Sequence, residues 1–354
     1  MTSVIPSQQL QFERPAQERL SQFLFERHGR DNDVLTALTP DASTREYFRV
    51  RWGNGYAVVA VYPEPIDPEN HPFLDVTRLF VAANLPVPAI LAVEASAGII
   101  VQEDLGDRQL KDALRDGTKD ESDRLREAAI GLIARIQGAT PTAFELNSIS
   151  SQLAFDKEKL IWELDFFFGH FFTRLKMLDF SFEEESGLRR ELEEIAEDLA
   201  ARPRVLCHRD YHVANLMVDQ QNTIRIVDYQ DARMGPASYD LVSLLLDRRT
   251  TLPSLAEVRN QRLMFLEERR LNGLPALDPD DFAREFRLMT IQRGLKAIGT
   301  FSNQTLCGRG EVYAQFINPT LEIVLQSMEW LGRFSSLSCV IKRCLEESAP
   351  VAAA

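Results

Sequence analysis

Between long helical stretches this chain carries one short island of strand-forming residues, Arg204 to Asp228, and that island limits the folds open to it. An apolar run, Val205-Leu206-Cys207, leads into His208-Arg209-Asp210-Tyr211-His212-Val213-Ala214-Asn215. Leu216-Met217-Val218, a turn at Asp219 to Asn222 and a second run from Thr223 to Val227 then end on Asp228-Tyr229-Gln230. The hairpin returns Asp228 to the neighbourhood of the loop that holds Asp210 and Asn215. A carboxylate at Asp210 can face an acceptor hydroxyl, the amide five residues on can reach a hard cation, and Asp228 adds a second oxygen ligand beside it. His-Arg-Asp alone arises by chance in about a few per cent of chains this long. Requiring Asn at the fifth position after Asp lowers that to the order of a few per thousand, so the island is read as a phosphoryl-transfer centre.

The rest of the chain divides around it. Leu20, Phe23 and Leu24 recur at helical spacing, which predicts a leading helix from about Pro15 to His28. Phe48, Val50 and Trp52 alternate with polar neighbours, and Gly53-Asn54-Gly55 turns the chain into the apolar run Tyr56 to Tyr62, a hairpin preceded by a loop at Thr39 to Arg45. A helix from about Pro72 to Asn84 and short strands near Ala89 to Val93 and Gly98 to Glu103 complete a small sheet-rich lobe. From Leu110 onward long amphipathic patterns dominate, at about Glu121 to Gly138, Phe155 to Leu178, Glu183 to Ala201, Leu255 to Asn272, Asp280 to Phe301 and Tyr313 to Phe334. The expected organisation is an N-terminal lobe over residues 1–105, a helical lobe over 106–347 and a frayed tail at Ser348 to Ala354.

A formal charge of −13 argues against a general nucleic-acid or anionic-membrane surface, because phosphate affinity rests on Lys and Arg. No apolar run approaches the roughly 20 residues that span a bilayer. The polar start from Met1 to Gln17 lacks a secretory layout, so the expectation is a cytoplasmic protein with neither nucleic-acid nor membrane partners and an open oligomeric state. Cys207, Cys307, Cys339 and Cys344 have no metal-finger spacing and are read as thiols.

His208 to Asn215 with Asp228 resembles the H-x-D-x-x-x-x-N and downstream metal-binding Asp motifs of the aminoglycoside phosphotransferase/choline kinase family. Further stretches are similar to a narrower branch, the bacterial anomeric N-acetylmuramate/N-acetylglucosamine kinases. These are Asp41-Ala-Ser-Thr-Arg-Glu-Tyr-Phe-Arg-Val50, Asp228-Tyr-Gln-Asp-Ala232, Gly235-Pro236 with Tyr239-Asp240-Leu-Val-Ser-Leu244, and Gln292-Arg293-Gly-Leu-Lys296-Ala-Ile-Gly299. The resemblance spans about Leu38 to Tyr313. It implies an α+β, bilobal protein-kinase-like fold, with a small antiparallel-sheet N-terminal lobe and a larger, mainly helical C-terminal lobe. It also implies ATP and Mg²⁺ as cofactors and phosphorylation of a sugar hydroxyl, foremost the anomeric one, in cell-wall sugar recycling. The competing functions are an aminoglycoside- or choline-type small-molecule kinase and a catalytically silent nucleotide-binding module.

By the same resemblance Asp210 is the catalytic base, His208 supports its loop, Asn215 and Asp228 hold Mg²⁺, and Asp240 anchors the loop backbone. A carboxylate at a helix start is the plainer account of Asp240 and is compatible with the anchor. Ser43, Thr44 and Arg45 stand where a kinase-like loop covers the nucleotide phosphates, although this loop has no glycine and a plain polar turn competes with that role. Val59-Ala60-Val61-Tyr62 lacks the phosphate-binding lysine of kinases, which leaves Arg45 or Arg49 as substitutes. Glu103 and Leu105 are the candidates for a hinge whose backbone binds adenine, against an ordinary strand exit. Gln292, Arg293 and Lys296 share a predicted helical face and are assigned to the acceptor, with a solvated face as the alternative. Asp231 is either a metal or substrate contact or a turn former. Glu163, Asp165 and His170 are further candidates for the sugar pocket.

Overall fold

A computed structural model describes residues 15–29, 35–38, 45–248, 250 and 252–347. Ser43, Thr44 and the tail from Ser348 to Ala354 lie outside the described residues. The chain opens with helix α1 (Ala16–His28), then strands β1 (Leu35–Leu38), β2 (Glu46–Trp52) and β3 (Gly55–Val61), helix α2 (Pro72–Ala82) and strands β4 (Ile90–Glu94) and β5 (Ile99–Glu103). The strands form one antiparallel sheet in the order β1-β2-β3-β5-β4. Trp52 pairs with Gly55 across a two-residue turn, and Gly53 takes φ 57°, which its missing Cβ permits.

Strand periodicity sorts this sheet into two faces. Phe48, Val50, Ala57, Val59, Val61, Ile99 and Val101 form one core with Ala16, Leu20, Phe23 and Leu24 of α1. Arg19 of α1 locks the packing by donating to the Ala97 and Tyr62 carbonyls. Tyr47, Val58 and Gln102 point the other way and roof a cleft. Helix α2 contributes Phe73, Leu74, Val76, Leu79 and Phe80 to the large core that runs through the C-terminal helices.

Below the cleft come α3 (Leu110–Asp116), α4 (Lys119–Gly138), the short α5 (Thr140–Glu145) and α6 (Ile149–Gln152), α7 (Lys157–Phe167) and α8 (Phe182–Ala200). The island supplies β6 (Arg204–Cys207), β7 (Leu216–Val218), β8 (Ile224–Ile226) and β9 (Arg233–Pro236); β6 pairs with β9 and β7 with β8. Then follow α9 (Tyr239–Leu246), α10 (Leu255–Leu271), α11 (Pro279–Gln304), the single turn α12 (Gly310–Tyr313), α13 (Ile317–Leu331) and α14 (Ser335–Glu346). Polar caps set the helix starts: Thr118 accepts from Glu121 N, Asp156 from Lys159 N, and Asp278 from Asp280 N and Asp281 N ahead of Pro279. Ser181 and Glu184 form a reciprocal capping box at α8.

Two sequence expectations change. The apolar pattern from Phe155 to Leu178 is not one α-helix, because after Phe167 the chain widens into a π-type turn over Phe168–Leu175. The pattern expected from Tyr313 becomes regular α-helix at Ile317, and β1 and α14 had no sequence assignment.

Helix α11 crosses α7 closely at Gly299, where an added Cβ would stand 2.8 Å from the Phe167 Cα. Gly299→Ala therefore forces two backbones apart. The expected cost is about 1–3 kcal/mol, read by calorimetry as a melting temperature lowered by several degrees.

Candidate active site

The loop between β6 and β7 and the loop between β8 and β9 lie side by side, and buried polar groups set both. Asp240, fully buried at the start of α9, accepts from the backbone N–H of His208 (2.7 Å) and of Arg209 (3.0 Å). Arg209 takes φ 86°, a left-handed conformation that costs a non-glycine residue about 1–3 kcal/mol. Its carbonyl accepts from Arg293 Nη1 at 2.9 Å, so the strained residue is held on both sides. Burial pushes the Asp240 carboxyl upward against the pull of His208 and the two N–H groups.

His208 is buried, and its Nε2 donates to the Val227 carbonyl at 3.1 Å. That contact ties the Asp210 loop to the residue before Asp228. Burial lowers the His208 pKa, which favours a neutral ring with its proton on Nε2.

Asn215 joins the two carboxylate loops. Its Nδ2 donates to the Asp210 carbonyl at 3.0 Å and to Asp228 Oδ2 at 3.2 Å, which leaves the amide oxygen to face a cation. Asp228, at φ 63°, also accepts from Gln230 Nε2 at 2.9 Å. Among the described residues no group of three or more His, Cys, Asp or Glu could hold a metal. One carboxylate and one amide oxygen nevertheless fit a hard cation that takes its remaining ligands from phosphates and water.

Asp210 has a side chain one-third exposed. Burial acts to raise its pKa, but the charges of Lys296, Arg209 and Arg293 outweigh it and hold the carboxyl well below the usual range. Arg209 Nη1 lies 3.8 Å from Asp210 and 2.8 Å from Asp231, so Asp231 pairs with the loop's own arginine.

The cleft above, a cavity of about 240 Å³, is lined by Arg45, Tyr47, Val58, Phe73, Pro88, Gln102, Asn215 and Val227 to Gln230. Arg45 sits against the rings of Tyr47 and Tyr62 and acts electrostatically on Asp228 across the cleft. Arg49 is committed elsewhere, 2.7 Å from Asp104 and 2.8 Å from Asp107.

Several expected site residues are placed differently. Glu103 turns its carboxylate to Arg225 (2.7 Å) and to the Ala89 N–H, because its strand parity is opposite to that of Gln102, which lines the cleft; the hinge expectation for Glu103 concerns its backbone and is independent of this pairing. Leu105 lines a neighbouring groove with Asp107 and Asp219. Arg293 is buried, and both terminal nitrogens are taken, by the Arg209 carbonyl and by Ser243 with Asp247, so it supports the loop and offers no face to an acceptor. Gln292 is also buried and donates to Glu163 at 2.9 Å. Lys296 is the member of that trio that remains partly exposed, 3.8 Å from Glu163. Asp165 pairs with Arg189, and His170 stacks on Phe166. Lys159 and Arg233, which stand in the same charge cluster, carried no motif in the sequence. The only sequence signal for Lys159 is its spacing of four from Glu163 on one helix.

A strand-roofed cleft above paired Asp and Asn loops, on a helical base, defines a phosphotransferase with a bilobal kinase-like fold. The chain belongs to the phosphotransferase enzyme family, whose model matches residues 34–279. It is 31% identical over 275 residues to the N-acetylmuramate/N-acetylglucosamine kinase of Neisseria meningitidis serogroup B, covering 77% of this chain and 79% of that protein. Identity to the Pseudomonas aeruginosa protein of the same name is 32% over 278 residues, covering 78% and 77%. Among solved structures, choline kinase LicA from Streptococcus pneumoniae superposes with a TM-score of 0.57 at 11% identity, over 90% of this chain and 99% of that one. A thermostable mutant of aminoglycoside phosphotransferase APH(4)-Ia gives 0.55 at 18% identity, over 86% and 98%. No helix of the described residues is long and apolar enough to cross a membrane.

Two measurements follow from the loop supports. Asp240→Ala strands two buried N–H groups and is expected to cost about 2–5 kcal/mol, read as a lower urea midpoint, with Asp240→Asn falling between it and wild type. Lys296→Met removes a positive charge that stabilises ionised Asp210, so the Asp210 pKa rises. Phosphotransfer in the variant is then lost on acidification at a higher pH than in wild type, as a pH–rate profile will register.

Proposed function

We propose that this enzyme uses ATP and Mg²⁺ to phosphorylate the anomeric hydroxyl of N-acetylmuramate, N-acetylglucosamine or both, in cell-wall sugar recycling. The observation that carries the reading is the convergence of the Asp210 loop with Asn215 and Asp228, the last two at the floor of the cleft. The sugar comes from the two relatives, which match about three quarters of either chain at about 30% identity.

In this reading the nucleotide lies under the sheet, between Val58 and Gln102 above and Tyr229 below. Asn215 Oδ1 and the Asp228 carboxylate would hold Mg²⁺, which would offset the charge of the phosphates. Arg45, which lines the cleft and acts electrostatically on Asp228, is the cation assigned to the phosphate oxygens where kinases use the strand lysine. Asp210 accepts a hydrogen bond from the acceptor hydroxyl and aligns it with the γ-phosphorus. The acceptor oxygen bonds to phosphorus, the bond to the β,γ-bridging oxygen breaks, and ADP leaves with that electron pair. The hydroxyl proton passes to Asp210 and then to solvent.

A carboxylate held this far below its ordinary pKa is a weak base. The loose transition state of phosphoryl transfer demands little proton removal before bond formation, so orientation is the larger task. An anomeric hydroxyl, more acidic than an ordinary alcohol, suits such a base.

Turnover of ATP with a panel of free sugars and amino alcohols tests the reading. N-acetylated sugars are expected to release ADP and yield an acid-labile phosphate; an acid-stable monophosphate would remove the anomeric assignment. Asp210→Ala is expected to reduce kcat by about 10² to 10⁴-fold. Asp228→Asn is expected to abolish turnover with an unchanged circular dichroism spectrum, and undiminished turnover would refute its place at the metal.

A further inference from the structure

Outside the lining of the cleft, and in contact with Asp210 through Arg209, four cations share two carboxylates. Lys159 and Lys296 each stand 3.8 Å from one oxygen of Glu163. Arg209 and Arg233 lie 2.8 Å and 3.6 Å from Asp231. Glu163 itself is only 1% exposed and is pinned by Gln292, while the oxygen facing the two lysines accepts no hydrogen bond. At 3.8 Å neither ammonium is hydrogen-bonded to it. Lys296 is thus positioned by Glu163, and Lys159 by Glu163 and by the Trp162 ring 3.9 Å from its ammonium, contacts that are not hydrogen bonds.

The excess positive charge is not diluted by solvent. Side-chain exposure is 26% for Lys159, 20% for Lys296, 22% for Arg209 and 12% for Arg233. Burial lowers the Lys159 pKa, and repulsion from Arg209, Arg233 and Lys296 adds to it against the pull of Glu163. Arg233 is lowered by burial and by Arg209 in the same way. An anion entering here would relieve both.

The cluster belongs to the acceptor side. The charges acting on Lys159 are those of Glu163, Arg209, Arg233 and Lys296, whereas Arg45 in the cleft answers to Tyr47, Tyr62 and Asp228. Lys296 and Arg209 also act directly on Asp210, and Arg209 Nη1 stands 3.8 Å from it, so the patch runs from the Asp210 carboxylate through Arg209 and Asp231 to Arg233.

We propose that Lys159 and Arg233, at the outer edge of this cluster, form a carboxylate subsite that recognises an acidic substituent on the acceptor and favours the acidic sugar over its neutral counterpart. The proposal rests on the sugar-kinase reading above. N-acetylmuramate differs from N-acetylglucosamine by a lactyl group on the C3 oxygen, which places a carboxylate a few ångströms from the anomeric oxygen. An ammonium joined to Lys296 through Glu163 and a guanidinium joined to Arg209 through Asp231 can meet that carboxylate, and the same cations repel a choline-like acceptor.

The test is steady-state kinetics of the full chain with N-acetylmuramate and N-acetylglucosamine, each at saturating ATP, for wild type, Lys159→Met, Lys159→Arg and Arg233→Gln. Wild type is expected to favour the acidic sugar in kcat/KM. Lys159→Met and Arg233→Gln are expected to lower the acidic-to-neutral ratio by about tenfold or more, chiefly through KM, and Lys159→Arg to retain most of it. A ratio unmoved by either substitution, or a rise in KM for ATP in place of KM for the acidic sugar, overturns the subsite while sugar phosphorylation stands. A wild type inert toward both sugars overturns the sugar reading itself, and the subsite with it. Arg233 packs on Phe155; if its variant fails to fold, the more exposed Lys159→Met decides alone.

Discussion

The left-handed backbone at Arg209 is the constraint on which the site depends. Left alone, a non-glycine residue at φ 86° relaxes and swings Asp210 away. Two buried charges from different helices prevent this: Asp240 of α9 takes the N–H groups on one side, and Arg293 of α11 takes the carbonyl on the other. Arg293 is itself held by Ser243 and Asp247 and lies over the Tyr239 ring, so every part of the clamp is packed. Such a clamp does little for net stability, because burying charges is expensive. Its use is geometric. It sets where the carboxylate points before any ligand arrives, which is what positioning catalysis requires.

Charge is distributed asymmetrically around that carboxylate. The cleft side presents oxygen atoms from Asn215 and Asp228 faced by Arg45, while the other side presents Lys296, Arg209, Lys159 and Arg233. Asp210 stays ionised because the charges of Lys296, Arg209 and Arg293 outweigh its burial. The acidic formal charge of the chain, −13, says nothing of this, since the local balance around Glu163 and Asp231 is positive.

The chemistry-bearing loops were legible because the strand–loop–strand pattern dictates their proximity: Asp210, Asn215 and Asp228 are brought together by a hairpin whose turn is written in Asp219 and Asn222. Residues whose placement depends on parity or depth were not. Glu103 and Gln102 are adjacent, yet strand alternation sends one to Arg225 and the other into the cleft, and nothing in the local text sets the phase. Gln292, Arg293 and Lys296 share a helix segment, but the buried ends of the first two are set by Glu163 and Asp247, residues far away in the chain. A polar residue spaced for a binding face and one spaced for a buried brace look alike until the partner helices are in place. The edge strand Leu35–Leu38 escaped notice for a simpler reason: four residues are too few to show alternation.

The fold also has two separate apolar cores, and the division does not follow the covalent junction near residue 105. One face of the sheet shares a core with α1, while α2 shares the other core with the helical base and with Ile100 of β5, and is fastened there by Thr77 bonding the Tyr229 hydroxyl at 2.9 Å and by Phe73 and Phe80 packing on the same ring. If the roof of the cleft lifts to exchange nucleotide, the moving body is the sheet with α1 as a single plate. Helix α2 stays behind as part of the socket, and such a movement has to slide Ile100 of β5 over the core that α2 shares and strain the Glu103–Arg225 pair at the end of that strand.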